Sequence, residues 1–210
     1  MSEKVSSVKA IVEECLRKLV KSYEEKEEDF LTESDVASSL FGMLKDEMKK
    51  GSVEGFKIHG GLRPCKEEKG VNYVLKATNS SSLEWKWKKH EPKNSGAVVD
   101  IVVVNSEQKY FKRAKEISPK KYWRLVTFPI EAFVVCIEVK IRVAGNIKRI
   151  KKDIEKLVKI REANREANRN CLVYLVIVDR KALKAFLDDI EKLCVENDVP
   201  LHSAVPSDQT

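Results

Sequence analysis

Two apolar runs, residues 97–104 (AVVDIVVV) and residues 132–143 (AFVVCIEVKIRV), decide the fold of this 210-residue chain. Each run is apolar on both faces, which is typical of strands in the middle of a sheet that is covered on both sides. Asp100 interrupts the first run. Glu138 and Lys140 interrupt the second run at a spacing of two, which points both side chains to the same face of the sheet.

Two helices are predicted before these strands. Apolar residues recur at helical spacing over residues 8–23, with charged residues between them. A second helix is predicted from about Thr32 to Met48, because Thr32 can cap it and Asp35 completes an acidic variant of the capping box. Gly51 lies just past its end, where glycine commonly terminates a helix.

Further elements follow the same patterns of apolar spacing. Strand-like composition predicts a short strand at residues 71–77, and alternating apolar and charged residues predict another around Trp85 and Trp87. A continuous apolar run predicts a buried strand at 172–178. Asn146 can cap a helix, and a last helix ends before Pro200. Residues 198–210 are predicted to form a loose tail.

Composition limits the classes of protein. A 42% apolar share and a 35% charged share exclude a disordered chain and predict one globular domain over residues 1–210. No apolar run approaches the roughly 20 residues of a membrane helix. The five cysteines show neither a zinc spacing nor a disulfide framework, so we expect reduced, mostly buried thiols and a cytoplasmic location. The net charge of +7 is compatible with a nucleic-acid partner.

Four charged residues stand in core-like positions and invite a shared explanation, because buried ionised groups need partners. Glu33 lies on the apolar stripe of the second helix, and Asp100, Glu138 and Lys140 lie in the two buried strands. Carboxylates can hold Mg²⁺ or Mn²⁺, which polarises a phosphoryl oxygen and lowers the pKa of a bound water. A lysine beside the cation could position or deprotonate that water, or neutralise the transition state.

Each of these residues also has a structural explanation. Glu33 in a first helical turn favours the helix dipole. Asp100 could cap a turn or pair with an arginine, and Glu138 with Lys140 could form a cross-strand ion pair at a sheet edge. A common site is favoured because the residues lie on two successive buried strands, behind a helix with an inward glutamate.

The order of these segments resembles the PD-(D/E)xK nuclease superfamily, which has the restriction-endonuclease-like fold. The resemblance spans roughly residues 30 to 197 and depends on GAVVDIVVV and FVVCIEVKIRV, followed by helix, strand and helix. It implies an α/β fold with an αβββαβ core, in which a mixed β-sheet is flanked by helices. Residues 1–29 would be an appended, extra N-terminal helix. Residues 105–130 would be an insertion between the two motif strands.

The resemblance also implies roles for the four charged residues. Asp100 resembles the motif aspartate, Glu138 the second acid and Lys140 the motif lysine, while Glu33 resembles the acid that many members supply from the first core helix. The acids Asp100, Glu138 and Glu33 would then hold Mg²⁺ or Mn²⁺. Val99 stands where the motif has proline, at a position that varies.

The insertion is rich in basic and aromatic residues, which suits a phosphate backbone and stacked bases. Lysines near the start of the helix after the second motif strand could also reach phosphates. A solvated hairpin whose aromatic residues cover the core is the alternative for the insertion, and a solvated face is the alternative for the helix. The candidate nucleic-acid-binding residues are Lys112, Arg113, Lys120, Lys121, Trp123, Arg124, Lys148 and Lys151.

The residues together predict a metal-dependent nuclease that hydrolyses phosphodiester bonds, with DNA favoured over RNA by family resemblance only. A catalytically inactive nucleic-acid-binding module of the same fold is the alternative. An α/β small-molecule or protein-interaction domain has less support, because the chain shows no glycine-rich phosphate loop or nucleophile elbow. A homodimer would suit the cutting of two strands.

Overall fold

The structure, a computed structural model, describes residues 3–25, 30, 32–78, 84–90, 96–117, 126–141, 146–167, 169–179 and 184–204. Its helices are α1 (Glu3–Glu25), α2 (Glu33–Lys50), α3 (Gln108–Ile117), α4 (Ile147–Glu166) and α5 (Lys184–Glu196). Its strands are β1 (Phe56–Glu68), β2 (Val71–Ala77), β3 (Trp85–Lys89), β4 (Val99–Asn105), β5 (Thr127–Pro129), β6 (Phe133–Ile141), β7 (Leu172–Val178) and β8 (Leu201–Ala204). Within the described ranges, no helix is long and apolar enough to cross a membrane.

The strands form one mixed sheet in the order β3-β2-β1-β4-β6-β7-β8, with β5 beside β1. Strands β1, β4 and β6 are successive antiparallel neighbours, whereas β6, β7 and β8 run parallel. The elements α2, β1, β4, β6, α4 and β7 therefore follow one another in the predicted αβββαβ order, and α1 is the extra N-terminal helix. The predicted fold class is confirmed.

Strand β1 changes partners along its length, which curls the sheet. Residues 56–62 pair with β4, whereas residues 63–68 pair with β5 and β2. Gly61 lies at this change of partner with a φ of 68°, a conformation that glycine adopts without steric cost. The second half of β1 thus carries the β2–β3 hairpin away from the plane of β4, β6 and β7.

The sheet separates two apolar clusters. Helices α1 and α2 pack with Ile137 and Val139 of β6 on one face. Helices α3, α4 and α5 and the β2–β3 hairpin pack with Cys136 of the same strand on the other face. Because side chains alternate along a strand, Glu138 and Lys140 point to the face that α4 covers.

The predicted N-terminal caps of α2 and α4 are both present, and they fix where these two helices begin. Thr32 accepts from the Asp35 N–H, and the Asp35 carboxylate accepts from the Thr32 N–H, so the capping box is confirmed. Glu33 is therefore the first residue of α2. Asn146 caps α4, where its side chain accepts from the Arg149 N–H.

Two sequence predictions need correction. Residues 108–117 of the insertion form helix α3, so a hairpin is wrong for these residues, although Phe111 does pack on the core with its ring 5.1 Å from that of Phe128. Residues 201–204 of the predicted loose tail form β8, which pairs with β7. The extra helix α1 packs on the domain, since Val12 and Leu16 are fully buried. The expectation of buried, unbridged thiols is confirmed for all five cysteines.

Candidate active site

The two motif strands part at Asp100. Strands β4 and β6 pair from Val104 and Phe133 as far as Ile101 and Ile137. Beyond that point, the Val139 N–H donates to Oδ2 of Asp100 at 2.9 Å, so a side chain takes the place of the next ladder bond. Strand β6 continues beside β7 through Ile141. The strands therefore separate on the side where Glu138 and Lys140 emerge.

The Lys140 ammonium lies at the centre of four carboxylates, from Glu33, Asp100, Glu138 and Asp153, which we call the carboxylate cluster. Its Nζ atom is 3.5 Å from Glu138, 3.5 Å from Asp153, 3.6 Å from Asp100 and 4.0 Å from Glu33. The cluster combines side chains from α2, β4, β6 and α4. The structure thus brings together all four residues that the sequence singled out, and adds a fifth.

A second lysine, Lys156 of α4, holds the inner side of the carboxylate cluster. Its Nζ atom is 2.7 Å from Oε1 of Glu138 and 3.2 Å from Oδ1 of Asp153. Its ammonium group also donates to the Val98 carbonyl at 3.0 Å, just before the first residue of β4. Glu138 is 1% exposed and has a lysine at each carboxylate oxygen, since Lys140 faces Oε2. Glu138 does not belong to an edge strand, because β6 lies between β4, which pairs with it as far as Ile137, and β7, which pairs with it through Ile141.

Burial and charge shift the pKa values in this cluster. Burial raises the pKa of Glu138 to about 7, against the opposing attraction of Lys156 and Lys140. For Lys140, burial acts to lower the pKa, but the surrounding carboxylates outweigh it and the pKa lies above its ordinary value. Lys140 is therefore a cation at neutral pH and acts as a donor. Burial also acts to lower the pKa of Lys156, but the charges of Glu138 and Asp153 raise it above its ordinary value.

Arg149 meets the carboxylate cluster from the solvent side. Its Nη2 atom donates to both carboxylate oxygens of Glu33, at 2.9 and 3.1 Å. The Arg149 side chain is 55% exposed and that of Glu33 is 31% exposed. Glu33 thus lies in the first turn of α2, where an acid favours the helix dipole, and is also the solvent-side member of the carboxylate cluster.

Asp153 and Lys156 were not predicted as site residues, although the sequence carries a signal for Asp153. Asp153 stands three residues after Ile150 and four before Leu157, which are both fully buried. An acid inside the apolar stripe of α4 is the same kind of interruption that drew attention to Asp100. Lys156 follows from Asp153, because residues three apart on a helix are neighbours.

The candidate nucleic-acid-binding residues are dispersed. Lys148 and Lys151 are exposed near the start of α4. Lys112 is exposed on α3, which begins beyond the end of β4 opposite to Asp100. Arg113 is bound to Glu67 and lies 3.5 Å from Glu131, so neighbouring acids already engage its charge. Four candidates fall outside the described residues: Lys120, Lys121, Trp123 and Arg124.

Trp85 and Trp87 pack against the apolar cluster on the α4 face of the sheet. The Trp85 indole N–H donates to the Lys152 carbonyl at 2.7 Å. The Lys152 and Lys66 ammonium groups lie 5.5 and 5.4 Å from the ring centroids of Trp85 and Trp87, respectively. Because lysines lie over both rings, packing explains these tryptophans better than base stacking.

The carboxylate cluster has the donor chemistry that a hard divalent cation prefers. The side chains of Asp100 and Glu33 are 33% and 31% exposed, and Glu138 lies beneath them. Across the described ranges, no three acidic, cysteine or histidine side chains stand at the spacing of a metal site. The Lys140 ammonium lies between the acids. The donor set therefore fits Mg²⁺ or Mn²⁺ in kind, and binding would require the acids to close around the ion.

No protein-family model and no curated protein matches this chain. Among solved structures it is similar to cAAA-bound NucC of Escherichia coli MS115-1, at 11% identity and a TM-score of 0.45 over 95% of this chain and 74% of that chain. The cAAA-bound NucC of Pseudomonas aeruginosa ATCC27853 gives 12% identity and a TM-score of 0.45 over 95% and 74%. The apo form of the E. coli protein gives 13% and 0.47 over 88% and 72%. Residue roles are therefore assigned from the geometry of this chain.

Proposed function

We propose that this protein is a metal-dependent nuclease that hydrolyses phosphodiester bonds of nucleic acid, with DNA as the first substrate to test. The supporting observation is the carboxylate cluster: acids from separate elements lie 3.5 to 4.0 Å from one buried ammonium, at the point where two central strands part. A sheet interior has no structural need for this concentration of charge, which costs several kcal/mol per ion to bury. A shared chemical task accounts for it.

Under this proposal, Asp100, Glu33 and Glu138 would hold Mg²⁺ or Mn²⁺, which would supply Lewis-acid assistance and lower the pKa of a bound water. The Val139 N–H holds Oδ2 of Asp100 and so orients that carboxylate. Lys156 holds Oε1 of Glu138, which leaves Oε2 on the side of Lys140. Lys140 stabilises negative charge on the phosphate as a donor, because its raised pKa keeps it protonated.

A second candidate function is a catalytically inactive nucleic-acid-binding module of the same fold. Its support is the charge balance within the described residues. The four acids of the carboxylate cluster already contact three cationic side chains, those of Lys140, Lys156 and Arg149. Such a cluster is close to neutral without a metal ion and could persist as a structural network.

A cleavage assay separates the two functions. Labelled single-stranded, duplex and branched DNA, with RNA alongside, are incubated with Mg²⁺, Mn²⁺ or EDTA. We expect metal-dependent cleavage that falls by about 100-fold or more in Lys140→Met, because a transition-state donor is lost. Lys192→Met, at an exposed position on α5, serves as the matched control and should cleave as the wild type does.

The outcomes are distinct. Binding of DNA without cleavage in any metal would favour the inactive module. Equal cleavage by Lys140→Met and wild type would remove Lys140 from the site.

We also propose a cytoplasmic location, in keeping with the five buried, unbridged thiols. A homodimer would suit the cutting of both strands of a duplex.

A further inference from the structure

Within the described part of the chain, three cations contact the carboxylate cluster, and they differ in their exposure to solvent. The Lys140 and Lys156 side chains are 5% and 6% exposed, and acids surround both. Arg149 is 55% exposed, and among the described contacts it reaches the cluster through Glu33 alone. Of the described cations at the cluster, Arg149 is therefore the one that an incoming anion meets first.

Arg149 also has unused binding capacity. Both of its side-chain hydrogen bonds to Glu33 come from Nη2. Within the part of the chain that the structure describes, no side-chain bond involves its Nε or Nη1 atoms. A guanidinium carries five donors in a planar fork that matches phosphate oxygens in pairs. Both paired edges of a guanidinium include Nη2, so a phosphate that binds Arg149 through two donors must take Nη2 from Glu33.

A nucleic-acid strand approaching the carboxylate cluster meets like charge, which disfavours binding unless a cation offsets it. Glu33 is the acid that Arg149 neutralises, and it is also an acid that would hold the metal ion. Any phosphate that attracts Arg149 competes with Glu33 for the same guanidinium. The phosphate and the carboxylate are therefore linked through one side chain.

We infer that Arg149 is the phosphate-binding residue of the site and that it exchanges Glu33 for a phosphate of the substrate strand. This inference rests on the proposed function. When nucleic acid binds, the exchange frees the Glu33 carboxylate from Arg149, so that it can turn toward the other acids of the cluster. Arg149 then contacts substrate directly, and Glu33 restrains it in the absence of substrate. A static ion pair that only joins α2 to α4 is the alternative, and it predicts no effect on affinity for nucleic acid.

The exchange is tested by fluorescence anisotropy of labelled DNA in EDTA, where neither metal nor cleavage contributes. Arg149→Gln should weaken binding about tenfold, as expected for the loss of hydrogen bonds to a charged group. It should also reduce the slope of affinity against salt by about one. Arg149→Lys keeps the charge and should retain the salt slope while losing part of the affinity. Arg165→Gln, at a 57% exposed arginine near the other end of the same helix, should bind as the wild type does.

Glu33→Gln tests the competition. It should tighten DNA binding about threefold or more, because it releases Arg149 and removes a negative charge. The charge effect alone would persist in Glu33→Gln, Arg149→Gln, whereas the release would not. A smaller gain from Glu33→Gln in the Arg149→Gln background supports exchange, and an equal gain overturns it.

Two further outcomes separate this inference from the proposed function. DNA binding by wild type that Arg149→Gln leaves unchanged, with circular dichroism showing a folded variant, overturns the inference alone. Failure of the wild type to bind any nucleic acid overturns the proposed function and the inference together. Thermal unfolding of every variant is measured alongside, because a static ion pair predicts that Arg149→Gln and Glu33→Gln destabilise the protein alike.

Discussion

The carboxylate cluster and helix α3 are both rich in charge, but they hold it in opposite environments. In the cluster, Lys140 and Lys156 are almost fully buried and each faces several acids. On α3, charged side chains reach solvent and form ion pairs at the surface, as Arg113 does with Glu67. Exposed pairs contribute little to stability, whereas buried ones are costly unless every partner is present. The density of charge along a sequence is therefore a poorer guide to function than the apolarity around it.

The largest expected contrast between the two regions is in stability. Lys156→Met should lower the free energy of unfolding by about 3–5 kcal/mol, because it removes one of the two ammonium groups that offset the buried charge of Glu138 and Asp153. Arg113→Met, which breaks a pair at a side chain 29% exposed, should cost less than about 1 kcal/mol. Urea denaturation of both variants and wild type at neutral pH measures the difference.

A double variant shows whether the loss comes from charge. Glu138→Gln, Lys156→Met removes both members of the closest pair, and should recover part of the loss because residues in contact are coupled. No recovery would indicate that Lys156 acts through its aliphatic packing. Equal losses in Lys156→Met and Arg113→Met would contradict the contrast between a buried and a surface network.

The pH dependence of stability gives the next contrast, and it centres on Glu138. Burial raises the pKa of this carboxyl from 4.5 to about 7. Between these values the folded state binds more protons than the unfolded state, so the contribution of Glu138 to stability falls as pH rises through this window. Above about pH 7 the loss is complete.

Urea denaturation in EDTA from pH 4.5 to pH 8 measures this contribution against a matched variant. The free energy of unfolding of Glu138→Gln should lack this part of the decrease with rising pH, because glutamine does not titrate. Glu116→Gln, at an exposed acid on α3, should follow the wild-type curve. Identical curves for Glu138→Gln and wild type would show that the neighbouring lysines cancel the effect of burial.

Much of the fold could be predicted because its signals are local. The capping box of Thr32 and Asp35 spans four residues, and the strands at 71–77 and 172–178 are bounded as predicted. Helix α3 was missed because lysines and arginines obscure its apolar period, which is Tyr110, Ala114 and Ile117. Strand β8 was missed because four residues of mixed polarity become a strand only beside β7.

The candidate site could be predicted where charge interrupts an apolar pattern, either along a buried strand or, for Glu33, on the apolar stripe of a helix. Asp100, Glu138 and Lys140 carry that signal within a few positions of sequence. Lys156 and Arg149 do not, because their roles depend on which way α4 faces the sheet. Arg149 and Glu33 are 116 residues apart in sequence, and no local pattern connects them. The partners of a buried charge are thus a property of packing.

The smallest expected effect concerns where nucleic acid crosses the surface. Lys148 and Lys151 lie on the turns of α4 beside Arg149, whereas Lys112 lies on α3. Strand β4 separates Asp100 from the start of α3, and its seven residues span roughly 20 Å. Lys148→Ala and Lys151→Ala should each weaken DNA binding about threefold and reduce the salt slope by about one, and Lys112→Ala should do less.

Anisotropy titrations in EDTA at several salt concentrations rank the three variants. The expected order would place the path of the strand over the start of α4, where its phosphates reach Arg149 and then the carboxylate cluster. A larger effect of Lys112→Ala would instead place the strand across α3, and the basic stretch that the sequence singled out would be the main interface. In that case the surface charge of α3 would bind the substrate, while the buried charge of the cluster would serve only the reaction.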